Sequence, residues 1–213
     1  MTMKNGAIAP NGIGLPKEKP VRRQVCVHEA GHAVAYWWNG LHIKQCVART
    51  REEVVKAGDG MSGRVWHSPC IVAPELALEF GLHDGNPRLE ELVYRDLIGC
   101  FAGPVAESIY RRASLLSIMV GSGSLDLSDA RCLLAFLPES QRAKVERVAV
   151  RRARVLIRQH WHLVSALADQ LQLKGIIGGE EVTDLLCGVS AEAPVFLGKS
   201  LTVLDGRGGR YGR

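Results

Sequence analysis

The sequence predicts a mainly helical fold with a small β-sheet. Three observations point there. Apolar residues recur at helical spacing from Val21 to Trp38, where Val25, His28, Glu29, His32 and Tyr36 fall near one stripe. They recur again from about Arg88 to Arg112, through Leu89, Leu92, Val93, Leu97, Cys100 and Phe101. Between these stretches lie short segments with Val, Ile and Trp, at 41–49 and 61–68, bounded by glycine in the manner of strands.

In chain order, residues 1–20 hold Asn, Gly, Pro and Lys with little periodicity and read as a flexible arm. Pro20 ends the arm, a helix begins at Val21, and Asn39-Gly40 stops it. The charged, glycine-containing piece from Thr50 to Gly60 reads as a loop between two strands. Residues 69–87 carry no pattern that assigns them. In the second helix, Gly103-Pro104 is the point at which a kink or break is expected. Gly121 to Ser124 reads as a loop, followed by a short helix from Asp126 to Phe136 with Ser124 or Asp126 as its cap. Pro138 starts a long helix reaching about Leu173, and its cations at 142, 144, 147, 151, 152, 154 and 158 read mostly as a solvated face. Gly178-Gly179 leads into a last short helix, Glu180 to Leu186. The expected organisation is an arm over 1–20, one domain over 21–188, and an extension over 189–213 ending in a Gly/Arg-rich tail.

A hydrophobic fraction of 46% with 23% charged residues is that of an ordinary globular chain. The net charge of +5 is mildly basic and does not demand a polyanionic partner. No apolar run approaches the ~20 residues of a membrane span, and no secretory signal is present, so a soluble cytoplasmic protein is expected. The six cysteines form no C-x-x-C pair, which argues against a zinc ribbon or a thioredoxin-like motif. They read as reduced core cysteines.

The chemistry concentrates at His28-Glu29-Ala30-Gly31-His32. Two histidines four apart on a helix project from one face, so both imidazoles reach one cation at about 2.0–2.1 Å. The adjacent glutamate then points at the open position of that cation, where it can take a proton from water. Ala30, Gly31 and Ala33 are small and admit a second element close to the helix. A third ligand is still needed. None of the other five histidines repeats a helical spacing with the pair, and His160 and His162 diverge. A carboxylate is the better candidate, either Glu107 on the second long helix or Asp126 or Asp129 after the glycine-serine loop. Spacing alone does not choose among them. His67, on a candidate edge strand, reads as a surface histidine, the alternative being that it faces the cleft.

Beyond the H-E-x-x-H pattern, Ala102-Gly103-Pro104-Val105-Ala106-Glu107 and Gly123-Ser124-Leu125-Asp126-Leu127 follow in order, with Ala130 after them, then a long C-terminal helix and Gly178-Gly179-Glu180-Glu181-Val182. In this set and order the chain resembles the zinc peptidase domain of the FtsH-type AAA protease family over roughly 21–188. The resemblance implies a helical, zincin-like peptidase domain with a small sheet beside the zinc helix. It implies zinc on His28, His32 and Asp126, with Glu29 as general base and Glu107 behind the ligands. The chain departs from the family in having no G-x-x-x-x-G-K-[ST] phosphate loop, no transmembrane segment, and Gly121-Ser122-Gly123 in place of the usual T-T-G. It is therefore expected to act without an attached ATPase domain.

The function implied is zinc-dependent endopeptidase activity on flexible or unfolded polypeptides, with a separately encoded ATPase as the alternative source of unfolding. The substrate is expected to add as a strand along 61–68. The alternative is a catalytically weak, zinc-stabilised binding module of the same fold. Nucleic acid is not expected as the main partner, because aromatic residues do not interleave with the basic ones.

Overall fold

Helix α1 (Arg23–Trp38) is the element on which the others assemble. Every residue from 26 to 35 is buried, so the helix is covered on all sides. Asn39 caps it, and Gly40 at φ 75° turns the chain into the sheet. The computed structural model describes residues 21–67 and 87–189. The expected arm at 1–20, the unassigned stretch at 69–86 with Cys70 and His83, and the residues from 190 onward with the Gly/Arg-rich tail lie outside the described residues.

Strand β1 (Ile43–Ala48) follows α1 and becomes the centre of a three-stranded antiparallel sheet. The segment expected as a loop at 50–60 instead contains helix α2 (Arg51–Ala57). Its cause is local: the Thr50 side chain accepts from the Glu53 backbone N–H, and the Glu53 carboxylate accepts from the Thr50 N–H. Gly58, at φ 70°, ends it. None of its residues is buried, so apolar periodicity could not reveal it. Strand β2 (Gly63–His67) pairs with β1 in a register that sets Cys46 opposite Val65.

Helix α3 (Pro87–Arg111) is continuous through Pro104, against the expectation of a kink or break. Proline removes one backbone hydrogen bond. Buried Leu97, Phe101, Ala102, Val105 and Ala106 hold the helix on both sides of that gap. Helix α4 (Leu115–Val120) is capped by the Ser114 hydroxyl. Helix α5 (Ser124–Ala135) starts earlier than expected, with Gly123 at its N-cap and both Ser124 and Asp126 inside the first turn.

The long helix expected from Pro138 to Leu173 is two helices, α6 (Glu139–Gln159) and α7 (Trp161–Lys174), broken at His160. An unbroken helix of that span would reach about 54 Å, far beyond the core it must cover. The turn at His160 lets Leu163, Val164, Leu167 and Leu171 pack back toward α1. Gly175, at φ 71°, then admits strand β3 (Ile176–Gly178), which pairs with β1 on the side opposite β2. Helix α8 (Gly179–Val189) closes the described chain. A Cβ on Gly179 would lie 1.8 Å from the Ile43 carbonyl oxygen, so only glycine permits that approach.

The architecture is thus mainly helical with a small sheet, as the sequence predicts, although its third strand, β3, adds to the two strands expected. No described helix is long and apolar enough to cross a membrane. Cys26, Cys46 and Cys100 are buried free thiols, but Cys132 and Cys187 are exposed, which corrects the expectation that the cysteines are core residues.

Candidate metal centre

Two helices supply the group, and a third, α3, stands behind them. Helix α1 supplies His28 and His32, and the first turn of α5 brings Asp126 between them. The Nε2 atom of His28 lies 3.0 Å from Asp126 Oδ2, and that of His32 lies 3.1 Å from Oδ1. The donor atoms of these three residues all lie within 4.8 Å of one another. Glu107 and Asp129, the other two sequence candidates, fall outside this group. Asp129 is exposed one turn further along α5, and Glu107 occupies the far side of His28.

Both imidazoles are oriented by acceptors behind them. Nδ1 of His32 donates to the Gly99 carbonyl oxygen at 2.9 Å. Nδ1 of His28 donates to Glu107 Oε2, also at 2.9 Å. Each bond fixes the tautomer that leaves the Nε2 lone pair available to a cation. Glu107 is itself held by the Ser122 hydroxyl at 2.7 Å and by Arg111 Nη1 at 2.7 Å. Ser122 stands in the turn before α5. The carboxylate that orients His28 therefore also ties down the segment that delivers Asp126.

Close packing makes this convergence possible. A Cβ on Gly31 would come within 2.7 Å of the Ala102 carbonyl oxygen, so α1 and α3 touch through the small residues that the sequence marked. A Cβ on Gly103 would stand 2.2 Å from His32 Nε2. Gly123 meets the Pro104 ring, its absent Cβ only 3.0 Å from Cγ. The Gly103-Pro104 pair is thus a contact surface: the glycine clears space for His32 and the proline seats the turn before α5.

Burial and charge set the protonation. Burial opposes a charged His28, but the Asp126 and Glu107 carboxylates outweigh it and push its pKa up to about 10. His32 is raised too, burial being overcome by Asp126. Burial also works against an ionised Asp126, yet the two imidazoles hold its carboxyl well below the usual range. For Glu107, burial is again outweighed, here by His28, Arg111 and Ser122, and its pKa falls to about 2.

Glu29 is buried beside this group. Gly63 of β2 backs it: a Cβ there would lie 2.4 Å from Glu29 Oε1. Burial raises its pKa, and the neighbouring imidazoles partly offset the rise. The other end of β2 reaches Tyr36, on which the His67 ring stacks at 3.9 Å. His67 is half-buried, which corrects its reading as a surface histidine. Strand β2 therefore lies along α1 from Glu29 to Tyr36, at an edge of the described sheet.

Two imidazole nitrogens and one carboxylate, with orienting acceptors behind the imidazoles, form a group that could hold a metal ion, and zinc is among the ions this donor set suits. The residues present fit such an ion. Sequence reasoning did not find Ser122, Arg111 or the Gly99 carbonyl. Ser122 and the Gly99 carbonyl act across segments separated in the chain, so no local pattern marks them, whereas Arg111 pairs with Glu107 one turn away on α3, a spacing that could have been read from the sequence. Compared with known proteins, the chain matches no protein-family model and no curated protein.

Proposed function

We propose that this chain is a zinc-dependent endopeptidase acting on flexible or unfolded polypeptides, similar to the peptidase domain of the FtsH-type proteases. The observation that carries the proposal is the convergence of His28, His32 and Asp126 with a buried Glu29 beside them. A zinc ion bound by these three side chains would polarise a peptide carbonyl and lower the pKa of water toward about 7.

The protein's own residues supply the rest. Glu29 takes the proton of the attacking water and passes it to the leaving amine. Burial raises its pKa, which makes its carboxylate a stronger base toward that proton than an exposed one. Burial keeps competing water away from the carboxylate. Glu107 and the Gly99 carbonyl hold the imidazoles in place through turnover. The edge of β2 offers backbone groups to an extended peptide, and Gly63 brings that strand against Glu29. A segment pairing there must be extended, which favours chains that are already unfolded.

The test is degradation of unfolded, fluorescently labelled casein by the full chain with and without chelator, beside Glu29→Gln. Loss of activity on chelation, recovery with zinc, and loss in Glu29→Gln with zinc still bound are expected. A protein that binds zinc but degrades nothing would instead be a zinc-stabilised binding module.

A further inference from the structure

The charge of this chain is concentrated on one helix. Helix α6 holds Arg142, Lys144, Arg147, Arg151, Arg152, Arg154 and Arg158 against only Glu139 and Glu146. Its net charge of +5 equals that of the whole chain, so the other residues together sum to zero.

The structure arranges these cations in a line. Lys144, Arg147, Arg151, Arg154 and Arg158 are all exposed, at alternating spacings of three and four residues. At about 100° per residue they share an arc of roughly 80° and extend about 21 Å along the axis. The opposite face, with Ala149, Ala153, Leu156 and Ile157, is buried in the core. The ridge therefore cannot rotate inward. Among the described residues no carboxylate forms an ion pair with Arg147, Arg151, Arg152, Arg154 or Arg158. Side chains that stabilised the fold by pairing would show such partners.

We propose that this ridge docks the phosphate backbone of double-stranded nucleic acid without reading its sequence. The charge complementarity is direct: a duplex presents about one negative charge per 1.7 Å of its axis. Arginine predominates, and its planar guanidinium engages phosphate oxygens in pairs. The ridge is a convex helix edge, the shape that enters a groove or lies along a phosphate row. An anionic membrane fits less well, because surface helices bind lipid by inserting an apolar face. Here that face is packed inside, and beside the ridge only Val155, 39% exposed, is a large apolar residue with substantial exposure. The site is separate from the metal centre in its residues, and docking there would hold the protein on a polyanion without occupying Glu29 or the histidines.

The experiment is fluorescence anisotropy of a labelled mixed-sequence DNA duplex of about 20 bp titrated with the full chain between about 50 and 200 mM salt. The variants are the triple change Arg147→Ala, Arg151→Ala, Arg154→Ala and the triple change of the same residues to Lys. Wild type is expected to bind at low salt with log K falling steeply against log salt. The alanine triple should weaken binding at least tenfold and flatten that slope by about 2 to 3, while the lysine triple stays near wild type. Helix content by circular dichroism accompanies each variant. If the alanine triple loses helix, Arg151→Glu alone is read, with a loss of at least threefold expected. Absence of duplex binding at low salt would overturn the proposal. So would binding that the alanine triple leaves unchanged, or binding to phosphatidylserine vesicles by a protein that ignores the duplex.

Discussion

Replacing Gly103 by alanine adds one methyl group at the metal centre and tests the packing that creates it. The new Cβ would stand 2.2 Å from His32 Nε2, 2.5 Å from Cδ2 and 2.7 Å from Cε1. Carbon and nitrogen need about 3.5 Å between them, so the imidazole must withdraw by roughly 1.3 Å. It cannot do so freely, because Nδ1 is held by the Gly99 carbonyl and Nε2 faces Asp126. Metal–ligand distances tolerate only about 0.2 Å of error, so His32 would leave the ligand set or bind with strain. Disturbing the support of a ligand typically costs about 10–100-fold in metal affinity, and displacing the ligand itself sets the upper end here. Overpacking should cost about 1–3 kcal/mol of stability, a fall in Tm of about 2–12 °C for a domain of this size. The assay is competitive zinc titration against a chromogenic chelator, with thermal unfolding of the metal-free protein alongside. Gly58→Ala is the control: that residue has a positive φ, 70°, unlike Gly103, and nothing lies within 4 Å of a Cβ built there. It should lose roughly 1 kcal/mol to backbone strain and bind zinc as wild type does. Wild-type zinc affinity in Gly103→Ala would refute the placement of His32 against α3.

Four further outcomes are expected. Zinc content measured side by side should be near one per chain in wild type and largely lost in Asp126→Ala; retention would return the third-ligand role to Glu107 or Asp129. Glu107→Gln should weaken zinc binding by about 10–100-fold without abolishing it, since the amide still accepts from His28 Nδ1 but carries no charge; an affinity equal to wild type would remove Glu107 from the site. In metal-free protein, the raised pKa of His28 contributes stability that is complete below its ordinary 6.5 and lost as pH rises toward about 10, whereas the lowered pKa of Glu107 contributes stability present above 4.5 and lost as pH falls toward about 2. Tm of chelator-treated protein should therefore decline on both sides of the interval from pH 4.5 to 6.5, and a Tm that rises from pH 6.5 to 9 would contradict the paired imidazole-carboxylate cluster. Thr50→Ala should remove the capping box of α2 at a cost of about 1 kcal/mol and leave zinc binding unchanged, as read by chemical denaturation and zinc titration.

The sequence by itself determined the helical class, because α1 and α3 carry apolar residues at helical spacing over long stretches. It also marked His28, Glu29 and His32, because two ligands one turn apart are a local fact of helix geometry. The small residues around Gly31 announced that another element would come close. Where interactions are local but not apolar, the sequence was readable in principle: Thr50 and Glu53 spell out a capping box, and α2 was passed over because none of its residues is buried. Only the tertiary structure decided the rest. The choice of Asp126 over Glu107 and Asp129 depends on how α5 meets α1, and that is set by Pro104 seating against Gly123. All three carboxylates are chemically able to bind a cation, so residue type could not separate them. The break at His160 was likewise hidden, because apolar periodicity continues across it; it is the limited reach of the core, not any strong breaker residue, that turns the chain there. The physical reason is common to these cases. Periodicity reports which face of one element is buried, whereas a site assembled from three elements depends on distances between residues about a hundred positions apart.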